Sequence, residues 1–194
     1  MSSIKIHMII AKRVQKRLGL GADFMLGSIL PDLYKQIYDR ENTHFEIREN
    51  NELKLDIESF GSKYLNKKDG LIFGYLAHLI EDQIWYENYE CKYRSQRFIN
   101  EEDFLNTMYR DYDVMDEQLV KSEIDILKVK DEIKNVLKKS NLPECEKISL
   151  LIDEKIKVRN MSSEKKTTYL TVKACKEYIK KSTEEVIKII KELM

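Results

Sequence analysis

Hydrophobic residues recur every three or four positions along most of the chain, which is the pattern of amphipathic helices. The first such stretch covers residues 4–18, and Gly19 and Gly21 follow it as helix-ending residues. Alternating strand patterns are nearly absent. The sequence therefore predicts an all-α fold.

Helix-capping residues and glycines divide the rest of this pattern into elements. Asp23 is predicted to cap a short apolar segment, residues 24–30, and Pro31 with Asp32 either ends that segment or forces a turn. Residues 33–50 are polar and irregular, with room for short helical pieces. Asp69 is predicted to cap a long helix that begins at Gly70 and continues to about residue 94. Further helices are predicted at 51–66, at 101–121 after Asn100, and at 122–139, 144–158 and 164–193, the last with a capping-box pattern at 182–185 that is compatible with a break.

The residues that form tight loops are concentrated in one part of the chain. All six glycines lie at or before position 74, and Pro143 is the second of only two prolines. The sequence contains no repeat and no flexible linker. We therefore expect one domain, residues 1–194, in which residues 1–95 carry the chemistry and residues 96–194 form supporting amphipathic helices.

Charge and composition exclude several classes of protein. The 194 residues contain 34 Lys and Arg against 34 Asp and Glu, so the chain has no basic coat for nucleic acid, and the lysines near its end alternate with acids. Binding of nucleic acid or of an anionic membrane through that end is the less favoured interpretation. No window approaches the roughly 20 apolar residues of a membrane span, and the first residues lack the pattern of a secretion signal. We expect a cytoplasmic protein with reduced thiols at its three cysteines. The sequence gives no indication of the oligomeric state.

Candidate metal ligands begin with the three histidines, His7, His44 and His78. His78 and Asp82 are four residues apart in the predicted long helix, so both side chains project from one face, as two ligands of one ion would. Gly74, one turn earlier, leaves room there for another backbone or a ligand. Taken singly, each histidine has an ordinary structural interpretation, such as a surface ion pair or a core imidazole.

Three motifs follow His7 in order: LGSILPD at 26–32, THF at 43–45 and GYLAHLIEDQIW at 74–85. Together they resemble the motifs of the zinc-dependent phospholipase C family and of its distant relatives, the single-strand nucleases. The resemblance covers about residues 1–90. It implies a helical bundle of the phospholipase C/nuclease type with a metal site between helices.

The resemblance also implies a set of functional residues. One main zinc ion would have four ligands: Asp32, His44, His78 and Asp82. His7 would help to bind a neighbouring metal, with Asp82 as the bridge, and Asp32 is a candidate for activating water. Imidazoles and carboxylates suit zinc, and they also suit iron or manganese.

The expected function is that of a metal-dependent phosphoesterase, in which metal-bound hydroxide attacks a phosphoester small molecule or a phospholipid. Tyr75 and Tyr86 are expected to line the substrate pocket. The family's third metal takes two further histidines and a glutamate, but this chain has no histidine after His78. We therefore expect one well-formed zinc site and a second, weaker one.

Two other interpretations were considered. A phosphohydrolase of the His-Asp class would need an adjacent His-Asp pair, which the sequence does not contain. A non-catalytic descendant would keep one structural metal or bind a phosphorylated ligand without hydrolysing it.

Near the candidate site, Glu81 is expected to be exposed. Asp113 and Asp116 are expected on a solvated acidic face, with a role as a late ligand or as an acceptor for an imidazole N–H as the alternative.

Overall fold

The computed structural model describes residues 3–49, 52–94, 100–157 and 166–194. It is mostly helical, with a single two-stranded hairpin in the described residues, so the predicted all-α class is confirmed. The elements are α1 (Ile4–Leu18), α2 (Ala22–Gly27), α3 (Leu30–Tyr34), α4 (Arg40–His44), β1 (Glu46–Glu49), β2 (Glu52–Leu55), α5 (Ile57–Tyr64), α6 (Gly70–Trp85), a π-helical turn (Tyr86–Glu90), α7 (Cys91–Arg94), α8 (Glu101–Glu123), α9 (Ile126–Lys139), α10 (Cys145–Lys155) and α11 (Val172–Leu193).

Several predicted helix ends are confirmed. Gly19 ends α1 in the left-handed conformation, at φ 68°, which glycine adopts without a steric penalty. The side chain of Asp69 accepts a hydrogen bond of 2.8 Å from the Ile72 N–H and so caps α6. The side chain of Asn100 caps α8 in the same way.

The apolar segment after α1 differs from the prediction. Gly21 is the N-cap of α2 and Asp23 lies in its first turn, so the predicted cap is wrong. Pro31 does not end a helix but lies in the first turn of α3, where its missing N–H costs nothing because that N–H would have no helical partner.

The hairpin is the second difference. β1 and β2 pair antiparallel, with Glu46 opposite Leu55 and Glu49 opposite Glu52, where the sequence predicted an irregular segment and the start of a helix at 51. Asp56 caps α5, which therefore begins later than predicted. The capping-box pattern at 182–185 allowed either one helix or two, and the structure has one, because α11 is continuous from Val172 to Leu193. The predicted start of that helix at 164 lies outside the described residues.

One cluster of buried hydrophobic side chains includes members from both halves of the chain, from Ile6 in α1 to Ile190 in α11. Trp85 at the end of α6 and Tyr178 of α11 are among its largest fully buried side chains, with ring centroids 4.8 Å apart. Cys91, Cys145 and Cys175 are all free thiols, as predicted. Within the described part of the chain, every helix is too short or too polar to cross a membrane.

Candidate metal centre

The centre depends on a close crossing of α2 and α6. A Cβ built on Gly74 would lie 2.1 Å from the Phe24 carbonyl oxygen, and one built on Gly27 would lie 2.1 Å from the Leu71 carbonyl oxygen. Only glycine allows this approach, because real side chains do not come so close to a backbone oxygen. The space predicted beside Gly74 is thus filled by the backbone of α2. The crossing brings the end of α2 next to His78.

His78 is held by that backbone in one orientation. Its Nδ1 lies 2.8 Å from the Ser28 carbonyl oxygen, which can only accept, so Nδ1 carries the hydrogen. Burial, together with the positive charge of His7, lowers the pKa of His78 to about 4, so the ring is neutral at neutral pH. Nε2 of His78 therefore presents a bare lone pair.

His44, the last residue of α4, is held in a similar way. Its Nδ1 lies 3.0 Å from the Thr43 hydroxyl oxygen, and that hydroxyl donates its own hydrogen to the Arg40 carbonyl at 3.1 Å. The hydroxyl can then only accept from His44, so in the neutral imidazole Nδ1 is protonated and Nε2 is bare. The next residue, Phe45, adopts the left-handed conformation at φ 52° and ends the helix there.

The structure brings the four predicted main ligands together. The two histidine Nε2 atoms are 3.4 Å apart. His44 Nε2 is 3.6 Å from Asp32 Oδ1, while Asp82 Oδ2 lies 3.8 Å from His44 Nε2 and 3.6 Å from His78 Nε2. A tetrahedral ion with bonds of about 2.1 Å has ligand atoms about 3.4 Å apart, and these four separations are close to that value. His44, His78 and Asp82 offer ligand atoms that all lie within 4.8 Å of one another and so fit a metal, with Asp32 next to His44.

Both carboxylates of this group are ionised. Burial would raise the pKa of Asp32, but Lys35, 2.5 Å away, and His44 outweigh burial and hold the pKa well below its usual range. Burial is likewise outweighed at Asp82, where His78 and His7 hold the pKa well below its usual range. The centre thus offers two carboxylate anions beside the imidazoles of His44 and His78, which is a set of donors that a divalent cation can use.

His7 of α1 lies on the opposite side of Asp82, with its ring stacked on His78 at 3.9 Å between centroids. Its Nε2 is 3.4 Å from Asp82 Oδ1, and its Nδ1 is 2.6 Å from Glu81 Oε2. Burial opposes a charge on His7, but the hydrogen bonds to Asp82 and Glu81 outweigh it and raise the pKa of His7 to about 10. His7, Asp32 and His78 form a second group whose ligand atoms lie within 4.8 Å of one another.

The prediction that Glu81 is exposed is wrong, because its side chain is fully buried. α6 is apolar on nearly all sides, and such a helix is usually enclosed by others, so its hydrophobicity could have indicated a buried Glu81. Burial raises the pKa of Glu81 to about 7, partly opposed by His7.

A cleft of about 160 Å³ opens beside Asp82. Tyr86 lines it, together with Arg40 and Arg94, and the exposed side chains of Leu105 and Tyr109 also contribute to its wall. Arg40 donates from Nε to Glu46 at 2.8 Å, and Arg94 is paired with Glu90 and Glu101, so carboxylates orient both guanidinium groups.

Tyr75 lies elsewhere. It lines a separate cavity of about 650 Å³, with the rings of Tyr34, Tyr38, Phe60 and Tyr64 around it. Its hydroxyl donates to the Thr43 carbonyl at 2.5 Å. Tyr75 is thereby connected to the metal centre through the residue that precedes His44.

The acidic residues of α8 lie apart from the four main ligands. Asp116 is buried, not solvated as predicted, because it accepts a hydrogen bond from Ser3 and lies 3.7 Å from the Lys5 ammonium. Asp113 is half-buried and shares with Asp116 the lining of a third cavity. Asp111, which the sequence did not single out, accepts hydrogen bonds from three backbone N–H groups at 168–170.

No family model, no curated protein and no solved structure matches the chain.

Proposed function

We propose that the chain is a metal-dependent phosphoesterase of the phospholipase C-like kind, with zinc as its main metal. The observation that carries the proposal is the pair of bare histidine Nε2 atoms, 3.4 Å apart and flanked by two ionised carboxylates. Two lone pairs at this distance repel each other unless a cation lies beside them. A divalent metal satisfies all four groups at once.

The chain's own residues have defined parts in this proposal. Asp32, His44, His78 and Asp82 hold the main ion, and Asp82, with its second oxygen toward His7, is the bridge to a weaker ion. When bound, a metal lowers the pKa of a water molecule and stabilises charge on phosphoryl oxygens.

The cleft beside Asp82 supports a phosphoester as the substrate. Arg40 and Arg94 line it, and guanidinium groups match the geometry of phosphate oxygens. A cleft of about 160 Å³ is small for a whole ligand, so the phosphoryl group would enter and the rest of the substrate would lie against Leu105 and Tyr109. Asp32, a carboxylate of the centre, is the candidate base.

Metal content and turnover test the proposal together. The purified protein is titrated with zinc and assayed with an aryl phosphodiester, bis(4-nitrophenyl) phosphate. We expect His78→Ala and Asp32→Ala to lose the main ion and the activity, and His7→Ala to keep the main ion and lose only the second. Asp131→Ala, at an exposed carboxylate, is the control and should retain both. Unchanged metal content in His78→Ala would refute the assignment.

A second candidate function is a structural metal site without catalysis. It is favoured by the donor count, because four protein ligands on one zinc ion would leave no open position for water. This candidate predicts that zinc raises the melting temperature while none of several phosphomonoesters and phosphodiesters is hydrolysed. Turnover that rises with zinc occupancy would exclude it.

A further inference from the structure

Two consecutive residues of α6 contact the two ring nitrogens of His7. Glu81 Oε2 lies 2.6 Å from Nδ1, and Asp82 Oδ1 lies 3.4 Å from Nε2. We propose that Glu81 is a positioning residue: by accepting the Nδ1 hydrogen of His7, it directs Nε2 toward Asp82 and so forms the second cation site. This inference rests on the proposed function, because it concerns the weaker of the two ions proposed there.

The first argument is the division of roles between the two carboxylates. An imidazole has two nitrogens, and a carboxylate that accepts from one of them leaves the other to bind a metal and makes it a stronger ligand. Glu81 takes the side of His7 away from the centre. Asp82 presents Oδ1 to His7 and Oδ2 to His44 and His78, so its two oxygens face two different sites.

The second argument is that the ring of His7 has little freedom. It is fully buried and stacked on His78, with 3.9 Å between centroids and 24° between planes. A 180° flip of the ring would put Cδ2 in place of Nδ1 and Cε1 in place of Nε2, so the contacts to both carboxylates would be lost. The hydrogen bond to Glu81 therefore holds the ring in the orientation that directs Nε2 toward Asp82.

The third argument is that a buried carboxylate at Glu81 lowers the stability of the fold. Its side chain is fully excluded from solvent, and Oε1 has no hydrogen-bond partner in the described residues. A buried carboxylate with one unsatisfied oxygen costs stability, so an amide or apolar side chain would serve packing better. The backbone is fixed independently, because Tyr178 donates to the Glu81 carbonyl at 3.1 Å. The carboxylate is thus explained by what it does for His7.

Metal titration tests the assignment. Wild type, Glu81→Gln and Glu81→Ala are titrated with cobalt(II) and zinc(II) by calorimetry and, for cobalt, by visible absorption. We expect the second ion to bind about 10–100-fold more weakly in Glu81→Ala, with the first ion changed by less than about twofold. The affinity of Glu81→Gln should lie between those of wild type and Glu81→Ala, because its amide oxygen still accepts the Nδ1 hydrogen but carries no charge. Glu58→Gln, at an exposed carboxylate of α5, is the matched control and should bind both ions as wild type does. Equal affinity for the second ion in wild type and Glu81→Ala would overturn the proposal.

A measurement without metal separates this proposal from the proposed function. In the metal-free protein, ¹⁵N-edited NMR should show a strongly downfield His7 Nδ1 hydrogen in wild type and lose it in Glu81→Ala. Wild type that binds no metal but shows this resonance would contradict the proposed function and leave the Glu81–His7 contact intact. Wild type that binds two ions without this resonance would contradict the role of Glu81 alone.

The folding of the variants is a further check. Both substitutions leave the buried, protonated His7 without one of its two carboxylate partners, so we expect a lower melting temperature in both variants, with the larger decrease in Glu81→Ala. A merely structural Glu81 would show this decrease while second-ion affinity stayed unchanged in both variants. That result would overturn the positioning role.

Discussion

Two hydrogen bonds determine which imidazole nitrogens face the main metal site. His78 donates to the Ser28 carbonyl and His44 donates to the Thr43 hydroxyl, so each Nε2 is left bare. The sequence indicated both histidines as ligands, since residue type and spacing are visible in it. It could not indicate the acceptors, because a carbonyl from α2 reaches His78 only through the tertiary crossing. The same limit explains why the Glu81–His7 contact, over 74 positions, was not predicted.

Tyr75 provides a test of this positioning at the scale of one hydroxyl. Its O–H donates to the Thr43 carbonyl, one residue before His44. Tyr75→Phe keeps the ring but removes the donor, so we expect a loss of roughly 1 kcal/mol in the free energy of unfolding and a several-fold weaker main zinc site. Urea denaturation and zinc competition titration measure the two effects.

The control for that substitution is Tyr64→Phe. Tyr64 belongs to the same aromatic cluster, with its ring 5.3 Å from that of Phe60, and its hydroxyl has no hydrogen bond among the described residues. We expect wild-type zinc affinity from it. If Tyr75→Phe also binds zinc as wild type does, the hydrogen bond from Tyr75 to Thr43 does not help to position His44 for zinc binding.

At the scale of elements, the long helices followed from periodicity and caps, but the hairpin did not. β1 and β2 each have only four residues, so any alternation is too short to compete with a helical pattern that begins nearby. The available signal in the sequence was the Asn-Asn pair at positions 50 and 51, since asparagine is a residue type that favours turns. At Gly74 the sequence indicated that another backbone or a ligand could approach, but not that the backbone is that of α2, because a sequence does not show which partner fills such a gap.

Gly74→Ala tests that crossing. The new Cβ would lie 2.1 Å from the Phe24 carbonyl oxygen, which belongs to backbone and cannot move alone, so α2 must shift away from α6. We expect a loss of roughly 1–3 kcal/mol in stability, and weaker zinc binding because Ser28 moves away from His78. Thermal unfolding and zinc titration of the metal-free protein provide the readouts.

Gly61→Ala is the matched control for Gly74→Ala. In α5 the added Cβ would meet only Leu65 Cδ1 at 3.3 Å, the end of a flexible side chain. Alanine is favoured over glycine inside a helix by about 1 kcal/mol, so this variant should be as stable as wild type or more stable. Equal stability losses in the two variants would mean that the close crossing is not what Gly74 provides.

For the whole molecule, the positive and negative charges balance in number, but the ionisable side chains are distributed unevenly between core and surface. His7, Asp32, Glu81 and Asp82 are ionisable groups that lie buried together at the junction of α1, α3 and α6. The sequence located these groups in its first half but gave no measure of their burial. Burial follows from helices packing on several sides of α6, which no local pattern records.

Asp116 is a buried ionisable group that affects the stability of the whole fold, because its contacts with Ser3 and Lys5 connect α8 to the start of α1. Burial raises the pKa of Asp116 to about 6, only partly opposed by Lys5. In the unfolded chain the carboxyl has its ordinary pKa of about 3.9. The folded state therefore binds the proton more tightly, and this group's contribution to stability is greatest below about pH 4 and declines as pH rises to about 6.

Asp116→Asn should abolish that decline. The amide keeps an oxygen for the Ser3 hydroxyl but does not titrate, so the stability of the variant relative to wild type should rise between pH 4 and pH 7, by at most roughly 3 kcal/mol. Urea unfolding at intervals of half a pH unit measures this difference. The loss of the Lys5 ion pair shifts the variant's stability without adding a slope, because a lysine does not titrate in this range. A constant difference across the range would show that Asp116 ionises in the folded protein as readily as in the unfolded chain.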